Sequence, residues 1–232
     1  MPARTLNPDI LYSTKDEGEI LIEWDSQLQV LAMRIFVDIT NVYQKKHKYA
    51  MNLVSKLEQV NHPNIMNLLE PAILIDEIQT LVFKTEAPDH ISTWKQFCKY
   101  QFSNEEVLCI FRQLASGIAH LHTHGIIHRD VHPTRIHYNN GLCKFNLIGL
   151  PYNFKKLLKC TNYSGHVNYS APEIISESDT SVNSTSSTFE NEDYIGEGNF
   201  TEKAETWSLG CCLYYLVTKM DPFEGASVKE TK

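Results

Sequence analysis

The sequence predicts an α+β protein in which a small antiparallel sheet comes first and helices dominate afterwards. Three observations carry this. Residues 9–40 hold apolar runs, ILY, ILIEW and LQVLAMRIFV, parted by the polar breaks STKDEG and DSQ, the pattern of consecutive antiparallel strands. Residues 103–121 open with Ser103 and Glu106 at capping-box spacing and continue with an apolar stripe of Val107, Leu108, Ile110, Phe111, Leu114, Ala115, Ile118 and Leu121. Residues 204–218, AETWSLGCCLYYLVT, are apolar nearly all round, which suits a helix buried at the centre of a helical layer.

The remaining elements fill in that plan. Residues 43–60 read as a helix with Leu53, Val54, Leu57 and Val60 on one face, and AILI and TLVF within residues 72–83 add two strands, about five in all. A short helix is expected over Asp89 to Tyr100. Residues 176–200 are polar, rich in Ser and Thr, and contain Glu177, Asp179, Glu190, Glu192, Asp193 and Glu197 without a Lys or Arg. That stretch reads as a solvated insertion. Ser176 and Ser187 each stand three residues before an acid, a spacing suited to acidophilic phosphorylation.

Composition narrows the function classes. The chain has 232 residues, with 42% hydrophobic and 21% charged, the balance of an ordinary globular protein. No apolar run approaches the ~20 residues that span a bilayer, and MPARTLNPDI has no apolar signal-peptide core. An intracellular, cytoplasmic protein is expected. The net charge of −7 is concentrated in the insertion, so the rest is close to neutral and no nucleic-acid surface is expected. Cys98, Cys109, Cys143, Cys160, Cys211 and Cys212 form no C-x-x-C pair and read as buried thiols. His120, His122, His124 and His128 cross a helix end with no carboxylate or thiol to complete a tetrahedral set, so no metal centre is assigned to them.

Residues 128–136, His128-Arg129-Asp130-Val131-His132-Pro133-Thr134-Arg135-Ile136, resemble the catalytic loop of eukaryotic protein kinases. His62-Pro63-Asn64-Ile65, Gly149, Ala171-Pro172-Glu173 and Trp207-Ser208-x-Gly210 follow the same family's order and spacing. The resemblance implies a single bilobal domain over 1–232: an N-lobe at 10–83, a hinge at 84–87, and a partial C-lobe at 88–232 interrupted by the insertion at 176–200. It implies further helices beyond Asp221-Pro222-Phe223, so the C-lobe reads as incomplete.

The same resemblance assigns roles and exposes departures. Asp130 stands at the base position, the candidate catalytic residue, but Arg135 replaces the magnesium-binding Asn and His132 the Lys. Ala32-Met33-Arg34 is similar to the V-A-I-K strand with Arg34 at the Lys, and its partner Glu falls on Leu53. Leu147-Ile148-Gly149 stands for D-F-G, and leucine cannot ligate a hard cation. His166 replaces a supporting Thr, and Gly18, beside Asp16 and Glu17, is alone where a Gly-rich flap is expected. A nucleotide site would then be degenerate, lined by Ala32, Arg34, Phe83, Thr85 and Arg135, with His137 under the base and Phe83 at the back. A divalent ion about 4 Å from Arg135 would meet gross repulsion on the order of 8 kcal/mol at an effective dielectric of 20.

These departures imply a pseudokinase: a scaffold or allosteric binding module with protein partners and no required cofactor. Two alternatives stay open. One is a Ser/Thr kinase with residual activity using Asp130, and the other is weak, metal-free ATP binding in which Arg34, Arg135 and His132 face the phosphates.

Overall fold

The computed structural model describes residues 10–14, 18–38, 44–78, 80–87, 101–139, 141–146, 167–174 and 201–223. The expected helix at 89–100, the Leu147-Ile148-Gly149 triplet, His166 and the acidic insertion lie outside the described residues.

Strands β1 (Ile10–Thr14), β2 (Gly18–Asp25) and β3 (Val30–Asp38) form an antiparallel meander, as the alternating runs predict. Asp25 sets the turn between β2 and β3, because its Oδ1 accepts from the backbone N–H groups of Gln27 and Leu28, both at 2.8 Å. Helix α1 (Gln44–Leu57) follows, then β4 (Ile73–Ile75) and β5 (Thr80–Glu86). The five strands run in the order β1-β2-β3-β5-β4. Strand β5 runs on through Glu86, so Lys84, Thr85 and Glu86 pair with Arg34, Met33 and Ala32. Residues 84–86 of the hinge that the resemblance implies at 84–87 are thus part of this strand.

Helix α2 (Asn104–Thr123) begins with the expected capping box: Ser103 and Glu106 satisfy each other's backbone N–H groups. Its buried stripe is Val107, Ile110, Leu114, Gly117, Ile118 and Leu121. Leu108 was expected on that stripe but is exposed, since one residue along a helix turns the side chain by about 100°. The helix ends in a Schellman motif. Gly125, at φ 61°, donates to the His122 carbonyl, and Ile126 donates back to Leu121. A residue with a Cβ is strained in that conformation.

After the loop at 126–135 come the hairpin β6 (Ile136–Asn139) and β7 (Leu142–Phe145), and later α3 (Glu202–Thr218). The core runs from Met33, Ile35, Leu81 and Phe83 in the sheet through Val54 and Leu57 of α1 to the stripe of α2, the hairpin and one side of α3. Expected to be buried all round, α3 instead covers Ala204, Glu205, Leu209, Cys211, Cys212, Tyr215 and Leu216, while Trp207, Tyr214 and Val217 are exposed. Among the described residues, α3 packs on the side that faces α2 and the turn at Val167–Tyr169. Among the described residues, no helix is long and apolar enough to cross a membrane.

The hairpin is joined to the first half of the chain by backbone. Phe145 donates to the Asn64 carbonyl at 2.9 Å and accepts from Met66 at 2.8 Å, and Asn64 Nδ2 donates to the Cys143 carbonyl and to Gln113 Oε1. Lys56 Nζ adds a bond to the Gly125 carbonyl. Cys143, Cys211 and Cys212 are buried thiols and Cys109 is exposed. Burial pushes the Cys143 thiol up to about 12, so it stays protonated and unreactive.

Candidate functional site

The loop that presents Asp130 is held from beneath by a buried carboxylate. Glu205, on the first turn of α3, is 1% exposed. Its Oε1 accepts the backbone N–H of Arg129 at 2.5 Å, and its Oε2 accepts from His122 Nε2 at 2.6 Å. A charge taken out of water this completely needs such donors. Arg129 has φ 65°, a left-handed conformation that costs a residue with a Cβ about 1–2 kcal/mol, and the bond to Glu205 fixes it there. His128 is fully buried. Its Nε2 donates to the Asn146 carbonyl at 3.0 Å and its Nδ1 accepts from the Asp130 backbone N–H at 3.3 Å.

Asp130 itself is 4% exposed, and its Oδ2 accepts from Arg135 Nε at 2.5 Å. Pro133-Thr134-Arg135 forms a short 3-10 turn capped by His132, whose Nδ1 accepts from the Thr134 backbone. That turn swings Arg135 back toward Asp130. His132 packs edge-on against Tyr169, with ring centroids 4.4 Å apart. The Tyr169 hydroxyl donates to Asp221 at 2.6 Å, and burial pushes that phenol well above its ordinary range.

Above the loop, the sheet turns one face toward the hairpin. The register places Ala32, Arg34, Lys84 and Glu86 on one face, and Met33, Ile35, Phe83 and Thr85 on the other. Phe83 is therefore not brought beside Arg34: it packs in the core with Ile35, Val54 and Leu57. Thr85 is buried opposite Met33, and its hydroxyl donates to the Glu86 carbonyl. The side chain next to Arg34 is Lys84, with Nζ 2.6 Å from Asp25 Oδ2 and 3.6 Å from Glu70 Oε2. The Lys84 ammonium and the turn N–H groups hold the Asp25 carboxyl down at about 2, and the Asp25 bond raises Lys84.

On the facing hairpin, His137 Nε2 accepts from Asn146 Nδ2 at 3.1 Å, and Lys144 bonds Glu86 across the gap. Burial, assisted by the Arg135 charge, pushes His137 down to about 4. Its buried Nδ1 has no hydrogen-bond partner among the described residues. The sequence reading missed Asp25, Lys84, Glu86, Lys144 and Asn146. The available signal was two charged residues alternating at the end of β5.

The resemblance implies magnesium and ATP, and the described residues do not form a site for the metal. Arg135, at the Asn position, offers nitrogen donors rather than oxygen lone pairs and is bonded to Asp130. Among the described residues, no group of three His, Cys, Asp or Glu could hold a metal ion.

Comparison with known proteins agrees with the fold. The protein kinase domain family matches residues 25–232. Similar curated proteins include a putative serine/threonine-protein kinase A of Trypanosoma brucei brucei, 24% identical over 91% of this chain and 46% of that protein. Sperm motility kinase 3A of Mus musculus is 27% identical over 81% of this chain and 34% of its own length. The SNF-related serine/threonine-protein kinase of Rattus norvegicus is 28% identical over 75% and 21% respectively. The chain thus spans less than half the length of these relatives. With a match over most of its residues, and an Asp130 loop seated on α3 through Glu205, the chain belongs to the eukaryotic protein kinase superfamily.

Proposed function

We propose that this kinase-like domain acts as a pseudokinase, a scaffold or allosteric module that binds proteins instead of phosphorylating them. The observation that carries this is the Arg135–Asp130 contact. A general base must offer a lone pair to the substrate hydroxyl within hydrogen-bond reach, and Oδ2 of Asp130 faces a guanidinium 2.5 Å away. The same residue puts a positive charge where phosphoryl transfer calls for a cation's ligand. Metal-free ATP is the weaker reading. Arg135 and His132 are bonded to Asp130 and Thr134, and Arg34 too is engaged within the chain.

The activation segment at 151–173 and the acidic insertion at 176–200 are the surfaces we assign to partners. Phosphorylation at Ser176 or Ser187 would add to the existing negative charge there.

The test is phosphate transfer from ATP with magnesium to a generic Ser/Thr peptide, comparing the native chain with Asp130→Asn. Equal, background-level incorporation is expected in both. Transfer by the native chain that Asp130→Asn abolishes would overturn the proposal in favour of an active Ser/Thr kinase.

A further inference from the structure

Glu86 lies on the sheet opposite Ala32, and Lys144 lies on the hairpin opposite His137. Their side chains form an ion pair, so the sheet and the hairpin meet at this point. On either side of it the polar groups are also turned to one another: Lys84 to Asp25 and Glu70, and Asn146 to His137. Ala32, which the family resemblance places in the lining of the nucleotide site, is 0% exposed. No part of its surface is open to a ligand.

Backbone bonds on the far edge of β5 reinforce the arrangement. The Lys84 carbonyl accepts from Leu69 at 2.8 Å, and the Glu86 N–H donates to Asn67 at 3.3 Å. The Phe145 ladder fixes the end of the hairpin to the segment after α1, and Glu86–Lys144 is the side-chain tie one residue before it.

We infer that Glu86 and Lys144 form a latch that holds the sheet and hairpin together and keeps a purine base out of the space beneath Ala32. Both groups are about one-quarter exposed, at 28% and 25%, so solvent screens the pair and its strength is modest. It acts by biasing a closed–open equilibrium. A ligand that needs the open form loses affinity in proportion to the open fraction.

Adenosine titrated into the purified chain by calorimetry tests this. It has no phosphate and needs no metal, so the result does not depend on the role of Asp130. Lys144→Met and Glu86→Gln, each removing one charge and little volume, are expected to tighten adenosine binding roughly fivefold, the factor for a screened pair. The reversed pair, Glu86→Lys with Lys144→Glu, is expected to return the native value. In the native chain, raising salt to about 0.5 M is expected to tighten binding in the same direction, a comparison that needs no variant to fold. The latch is refuted if native and single variants bind adenosine alike, at any strength including none. It is equally refuted if the reversed pair behaves like the singles or salt leaves native binding unchanged.

Discussion

Replacing Glu205 by Gln isolates the contact on which the Asp130 loop rests. The carboxylate accepts two bonds, from Arg129 N–H at 2.5 Å and from His122 Nε2 at 2.6 Å. Bonds to a charged group contribute about 1.5–3 kcal/mol each. An amide of the same shape keeps one acceptor and turns its NH2 toward the other donor. One bond is lost and a buried donor is left unpaired, while removing a buried charge offsets part of the cost. The expected net loss is about 2–3 kcal/mol. In urea, with a slope of about 2 kcal/mol/M, the unfolding midpoint should fall by roughly 1 M at unchanged slope. Amide exchange at Arg129 should accelerate as well, because its left-handed backbone loses its anchor. A double-mutant cycle with His122→Ala should show coupling of at least about 1 kcal/mol. A midpoint shift under about 0.2 M would refute the claim that Glu205 supports the loop.

Acid should weaken the fold through His137. Its folded pKa, about 4, lies below the ordinary 6.5, so between those values the unfolded chain binds a proton that the folded chain refuses. Stability therefore falls as pH drops through that window, by up to about 3 kcal/mol near pH 4. His137→Leu should remove that share, leaving a residual slope from His62 and His120, which burial also pushes down. An unchanged profile in urea titrations at several pH values would count against the assignment. Gly117→Ala should destabilise by about 1–3 kcal/mol despite alanine's better helix propensity, because the new Cβ would meet the Asn64 carbonyl at 3.0 Å and Ile65 Cδ1 at 3.2 Å. Gly210→Ala, with nothing within 4 Å, is the matched control and should be neutral or stabilising by up to about 1 kcal/mol. Equal effects in thermal melts would show that helix α2 does not pack as described.

Local pattern made the scaffold legible. The polar breaks between apolar runs marked β1 to β3, the Ser103–Glu106 spacing marked the start of α2, and the triplets at His128, Ala171 and Trp207 ordered the second half. What escaped depended on partners distant in sequence. Lys84 and Glu86 fall in the hinge that the resemblance implies, and their counter-charges, Asp25 and Lys144, come from β2 and β7. Arg135 could be read as a lost Asn, but its turn back onto Asp130 depends on the 3-10 geometry after His132. Phe83 fell on the core face because the ladder with β3 continues past it and fixes the alternation.

The junction at Phe145 also bears on how the chain folds. Ile65 and Phe145 pair as parallel neighbours although about 80 residues lie between them, and the entropy of closing such a loop grows only slowly with its length. The contact is nevertheless non-local, and contacts of that kind slow folding. Neither half is self-sufficient. A fragment ending near Ala87 would leave the Asn64 carbonyl and the Met66 N–H without Phe145, and one beginning near Gln101 would leave the edge of β7 exposed. Cleavage between those points should therefore give two pieces that are soluble only when recombined, with refolding rates that depend on the concentration of both.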